Sequence, residues 1–196
     1  MGKSLGECKN ILNAHCETKL KIIEKNNDIK LMYENAGFTG KQLNHLIVND
    51  YQYEQENNDN GDNDRLCWEN VKLSTIEKLQ KILNDFSIID REHYDKKEDK
   101  IYNYRSIKYK ESIIYKYVHS GCGFNDKLVL KNKSNEVLLY TYMDKIETMV
   151  VKNSDLLLEE MNNLGLKNIS TNDYTQFLFM LSPVHYEIEH CHVVEK

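Results

Sequence analysis

The stretch Lys127-Leu-Val-Leu-Lys-Asn-Lys-Ser-Asn-Glu-Val-Leu-Leu-Tyr-Thr-Tyr142 decides the fold class. Leu128 and Leu130 alternate with polar residues, the period of a half-buried strand. Lys133-Ser-Asn135 supplies turn chemistry, and Val137–Tyr142 is rich in β-branched and aromatic side chains. Together they predict a hairpin. Toward the C-terminus, Ile146, Met149, Val150, Leu157, Leu158 and Met161 fit a helix or helix pair, closed at Leu164-Gly-Leu166. Residues 176–181 and 184–194 flank the lone Pro183 and read as two more strands. The C-terminal third thus reads β-β-α-β-β.

Toward the N-terminus the grammar is helical. Leu5, Cys8, Leu12, Cys16, Leu20 and Ile23 recur at spacings of three and four, one stripe of a helix over about residues 4–25. Asn26-Asn-Asp28 interrupts it and offers a cap for a second helix carrying Ile29, Met32, Tyr33 and Ala36, ended by Gly37. Thr39-Gly-Lys-Gln42 reads as a capping box before a short helix with Leu43, Leu46 and Ile47. Residues 49–64 are polar and read as a loop. Ser74-Thr-Ile-Glu77 is a second capping box, followed by Ile76, Leu79, Ile82, Leu83 and Phe86 on one face of a helix at about 75–86. Residues 90–100 read as a charged linker. Residues 101–118 carry both periods: Ile113, Lys116 and Tyr117 fit a helix, whereas Tyr102 and Tyr104 alternate like a strand. The overall prediction is an α+β protein: a helical part over 1–90, a basic, tyrosine-rich connector over 91–120, and a mixed region over 121–196.

The chain has 196 residues, 40% hydrophobic and 29% charged, enough to build a core without disulfides or metals. Its five cysteines are an odd number and none forms a C-x-x-C pair, which fits free thiols in a reducing, cytoplasmic setting. No run of 18 apolar residues predicts a membrane span, and nothing reads as a secretory leader. Gly2 lacks the Ser or Thr at position 6 that myristoylation favours.

Residues 28–88 resemble the helix-turn-helix of the Cro and phage-repressor family. The resemblance is carried by Ile29, Leu31, Ala36-Gly-Phe-Thr39 and Leu43, then by Trp68-Glu-Asn-Val-Lys-Leu-Ser74 with Ile76, Leu79, Ile82 and Leu83. In that family the helix between these landmarks reads bases in the major groove. The resemblance implies a non-enzymatic regulator built on a degenerate helix-turn-helix, either contacting DNA through Lys41, Arg65 and Lys72 or turned to protein binding, with the C-terminal part serving homodimerisation or sensing.

Charge distribution adds competing readings. The net charge is −5, from 26 basic and 31 acidic residues. Residues 42–64 hold Asp50, Glu54, Glu56, Asp59, Asp62 and Asp64 with no Lys or Arg, which suits docking onto a basic protein, as a mobile-element or viral inhibitor would do. Residues 91–116 hold eight bases against five acids, with tyrosines between them. Arg105 and Lys108 are its candidate phosphate contacts, since cations neutralise phosphate while rings stack on bases. The tail His185-Tyr-Glu-Ile-Glu-His-Cys-His192 places His190 and His192 on one face of a strand, where two imidazoles suit zinc. His119-Ser-Gly-Cys122 pairs a thiol with a base but names no third group to orient them.

Overall fold

The computed structural model describes residues 2–40, 68, 71–120, 127–142, 148–183 and 192–195. Within them lie helix α1 (Leu5–Asn35), helix α2 (Leu73–Leu83), strands β1 (Phe86–Asp95), β2 (Lys100–Tyr109), β3 (Ser112–Ser120), β4 (Lys127–Asn132), β5 (Val137–Tyr142) and β6 (Thr148–Val151), helices α3 (Ser154–Asn163) and α4 (Thr171–Met180), and strand β7 (His192–Glu195). The α+β class holds. The seven strands form one sheet in sequence order. Each neighbouring pair from β1 to β6 is antiparallel, and β6 pairs with β7 in parallel.

α1 begins with a complete capping box. The Glu7 amide donates to Ser4 Oγ (3.2 Å) while the Ser4 amide donates to Glu7 Oε2 (2.6 Å). The break predicted at Asn26-Asn-Asp28 does not occur, and the helix continues to Asn35. Asn and Asp each cost only about 0.5 kcal/mol in a helix interior, so three of them do not stop a helix that lacks Gly or Pro. Gly37, at φ +90°, does stop it. Its amide donates to the Glu34 carbonyl and the Phe38 amide to Tyr33, while the Phe38 ring packs edge-on against Tyr33. The stripe predicted to be core over Leu5–Ile23 is core only in its first half. Cys8 and Leu12 are fully buried, whereas Leu20 and Ile23 are 43% and 44% exposed.

α2 buries Ile76, Leu79, Ile82 and Leu83, as its periodicity requires. Its N-cap is Lys72, with no side-chain cap, so Ser74 sits inside the first turn and does not act as the predicted cap. α2 runs beside α1, where Gln80 Nε2 donates to Asn13 Oδ1 at 2.8 Å.

The sheet starts much earlier than predicted. The charged linker over 90–100 is the end of β1 and the tip of the β1–β2 hairpin, where Asp95 Oδ1 accepts the Lys97 amide at 2.8 Å. Residues 101–118 are the strands β2 and β3, so the Tyr102/Tyr104 alternation was the true signal and the helical reading fails. The hairpin over 127–142 is present as predicted, with Asn135 in the left-handed region at its turn. Residues 176–181, predicted as a strand, belong mostly to α4. That helix is buried from Tyr174 to Met180 on every side, polar Thr175 and Gln176 included, so the apolar run that begins at Phe177 carries no helical period.

The core lies between the inner face of the sheet and the helices. Phe177 of α4 meets Phe86 edge-on with centroids 5.8 Å apart. The hydroxyls of Tyr115 and Tyr174 are 2.9 Å apart, and the Tyr117 hydroxyl donates to the Leu178 carbonyl. Cys8 of α1 donates its thiol to the Met180 carbonyl at 3.5 Å. Burial pushes that thiol up to about 11, which leaves it protonated and unreactive at neutral pH.

Candidate functional site

Arg105 and Lys108, the two cations nominated from the tyrosine-rich stretch, point to opposite faces of β2. Arg105 lies in the inner row Asp90, Arg105, Tyr117, Leu130, Leu139, Val151. It is 1% exposed. Its Nε and Nη2 donate to the two carboxylate oxygens of Asp90 at 2.7 and 2.8 Å. Its Nη1 donates to the carbonyls of Lys3 (2.8 Å), Leu181 (3.0 Å) and Ser182 (3.1 Å). The guanidinium therefore ties β1, the N-terminal segment and the end of α4 together, and it is withdrawn from any phosphate. This corrects the sequence reading of Arg105 as a nucleic-acid contact. The charge was read correctly, but its strand parity was not available until the register was known.

Lys108 belongs to the outer face. Strand register arranges that face in rows. One row runs Arg91, Tyr104, Val118, Val129, Tyr140, Val150 across six strands, about 24 Å at the usual inter-strand spacing. Beside it lies the row Ile89, Ser106, Lys116, Lys131. Lys108 lies one further row along β2. On the other side, Tyr102 follows Tyr104 along β2, and Lys127 stands two residues before Val129 on β4.

The charges on this face are of one sign. Among the described outward-facing residues of β1 to β5, the only carboxylate is Asp95 at the hairpin end, and Arg91, Lys108, Lys116, Lys127 and Lys131 are all cations. Lys116 and Lys131 stand directly opposite each other on neighbouring strands, a like-charge pairing that weakens a sheet. Neither forms an ion pair with any described residue. In a chain of net charge −5, the sequence has more than enough carboxylates to neutralise them.

The aromatic side chains on this face are held in defined places. Lys127 Nζ sits 3.7 Å from the Tyr140 ring centroid, a close cation–π contact. Tyr102 and Tyr104 have centroids 6.4 Å apart and are tilted by 34°. The Tyr102 hydroxyl donates to the Glu98 carboxylate, and that bond pushes its phenol up to about 12.

No family model, curated protein or solved structure matches the chain.

Other predicted site residues are placed as follows. Lys72 is exposed at the start of α2, away from the outer sheet face. Lys41, Arg65 and the carboxylates Asp50, Glu54, Glu56, Asp59, Asp62 and Asp64 lie outside the described residues, as do Cys122 and His190. His192 opens β7, and its side chain is likewise outside the described set. Among the described residues no group of three His, Cys, Asp or Glu side chains is placed to hold a metal ion. Nor is any described helix long and apolar enough to cross a membrane. Lys127, Val129, Lys131 and Tyr140 escaped the sequence reading as site residues, because the hairpin was used only to assign fold. The odd-numbered positions 127, 129 and 131 of β4 alternate against buried Leu128 and Leu130, and that alternation was the signal that could have found them.

Proposed function

We propose that this protein binds nucleic acid through the outer face of its sheet. The observation that carries the proposal is the Lys116–Lys131 pair, which no described carboxylate neutralises, beside a row of tyrosine and valine. A like-charge contact in a sheet is tolerated at some loss of stability, and a phosphate backbone laid along Lys108, Lys116 and Lys131 would relieve it. The helix-turn-helix and acidic-segment readings rest largely on residues outside the described set, and no observation on the described ones favours them over the sheet face.

The test is fluorescence anisotropy of a labelled oligonucleotide at low and moderate salt, with the wild type and with Lys116→Gln/Lys131→Gln. The proposal expects affinity to fall steeply with salt in the wild type. It expects the double variant to bind more weakly and to have a salt slope shallower by between one and two units, since each lost phosphate contact removes about 0.7–0.9. A double variant indistinguishable from wild type at both salts would refute this face as the site.

A further inference from the structure

We infer that the nucleic acid taken by this face is a single strand, with its bases stacked on Tyr104 and Tyr102 and its phosphates on the row of lysines. This inference rests on the function proposed above and narrows it.

Duplex and single strand offer this surface different chemistry. A duplex presents phosphates and keeps its base faces stacked inside, so it would use the lysines and leave the middle row in poor contact. Beyond Arg91 at its edge, that middle row is not built for phosphate. Between Tyr104 and Tyr140 it presents Val118 and Val129, which offer no hydrogen-bond donor and gain only from covering by an apolar surface. The π-face of an unpaired base is such a surface.

The placement of the cations agrees. Lys116 and Lys131 lie on one side of the middle row, and Lys108 lies beyond them on the same side. Adjacent rows on one face are separated by two residues of strand, about 7 Å. A backbone running along the lysine row therefore has its bases directed over Tyr104 and Val118.

The rings divide by what already touches them. Tyr140 is buried and carries the Lys127 ammonium over its ring, so it offers no face to a base. Tyr102 and Tyr104 are tilted relative to one another and are not stacked together. Tyr102 is also anchored by its bond to Glu98, which fixes the ring before any ligand arrives. These two rings are the assigned stacking positions.

The test compares four labelled probes in the same anisotropy assay: an RNA strand of about 20 nucleotides, the DNA strand of the same sequence, the corresponding duplex, and a base-free polyanion, heparin. Proteins are the wild type, Tyr104→Leu and Lys116→Gln/Lys131→Gln, each first checked for an unchanged melting temperature to within a few degrees. The inference expects single strands to bind at least about tenfold more tightly than the duplex. It expects Tyr104→Leu to lose about tenfold on single strands and nothing on heparin, because leucine keeps the bulk and removes the π-face. The lysine variant should weaken on all probes. If the duplex binds as tightly as the single strands and Tyr104→Leu changes nothing while the lysine variant still weakens binding, the single-strand inference is overturned and the broader function stands. If the lysine variant binds every probe as the wild type does, the function itself falls. The RNA and DNA arms assign the sugar: a preference for one of them names the strand, and equal affinity means that the face reads bases and phosphates alone.

Discussion

Arg105 and Lys108 are three residues apart on one strand, carry the same charge and were nominated together from sequence, yet they do opposite things. Arg105 turns inward and engages all three of its guanidinium nitrogens with Asp90 and three carbonyls. Lys108 turns outward to join Lys116 and Lys131 on a face where Asp95 is the only carboxylate among the described strand residues. A strand separates a buried, structural cation from an outward-facing one by parity alone, and composition cannot see parity.

The comparison can be broken most severely at Arg105. Arg105→Ala should lower unfolding stability by about 3 kcal/mol, read from urea or thermal melts. Most of that loss comes from the buried carbonyls and the emptied volume, because the Asp90 side chain is 40% exposed and its ion pair is partly screened. A fully stable Arg105→Ala would show that the guanidinium is not the tie the geometry describes. Lys108→Ala, by contrast, should move stability by less than about 0.5 kcal/mol and register only in binding.

Next in size is the inner face's tyrosine pair. Tyr115→Phe removes one side of the buried hydroxyl contact with Tyr174 and should cost about 1–2 kcal/mol. Removing both hydroxyls, with Tyr174→Phe added, should cost less than the sum of the two single changes, since no buried donor is then left alone; strict additivity in a double-mutant cycle would contradict the contact.

The outer face sharpens the comparison with the opposite sign. Lys116→Gln should stabilise the fold by a few tenths of a kcal/mol, about what a relieved like-charge pair returns, even as it weakens binding. A destabilised variant would mean that the lysine is held by something other than its neighbour across the sheet.

The smallest effect concerns pH. His15 stacks on Trp68 at 5.7 Å, and burial, helped by the nearby Lys19, holds its imidazole below the usual 6.5. Protonation therefore favours the unfolded chain. This contribution is intact above about pH 6.5 and is lost as pH falls from there through the lowered value. Denaturation followed by the fluorescence of Trp68, the single tryptophan, should show a midpoint that drops between about pH 7.5 and pH 5.5, and His15→Phe should flatten that drop.

How much of this was legible in sequence follows from how cleanly each element separates its two sides. β4 and α2 were readable because Leu128 and Leu130 alternate with half-exposed neighbours and Ile76, Leu79, Ile82 and Leu83 recur at helical spacing. β1 to β3 were not, because their inner face includes Asp90, Arg105, Tyr115 and Tyr117 and their outer face includes Ile89, Tyr104 and Val118, so neither face is purely polar or apolar. α4 was misread because it is buried all round from Tyr174 to Met180, which leaves no exposed face to mark a helical period. The candidate site was half visible. The tyrosines and bases of 91–116 were noticed, but half of the lysine row and its aromatic companion come from β4 and β5, which only register brings alongside.

The tie made by Arg105 also bears on the order in which the molecule assembles. Each strand from β1 to β6 pairs with its immediate successor, so the sheet can zip up from contacts that are short in sequence and quick to form. The carbonyls of Leu181 and Ser182 lie 76 and 77 residues from Arg105, and that of Lys3 lies 102 away on the other side. Those contacts, like the still longer one between Cys8 and Met180, close much longer loops than the strand pairings do, and they are expected to form after the sheet. On that order Arg105→Ala should accelerate unfolding and leave the folding rate nearly unchanged, which the two arms of a chevron plot would read separately.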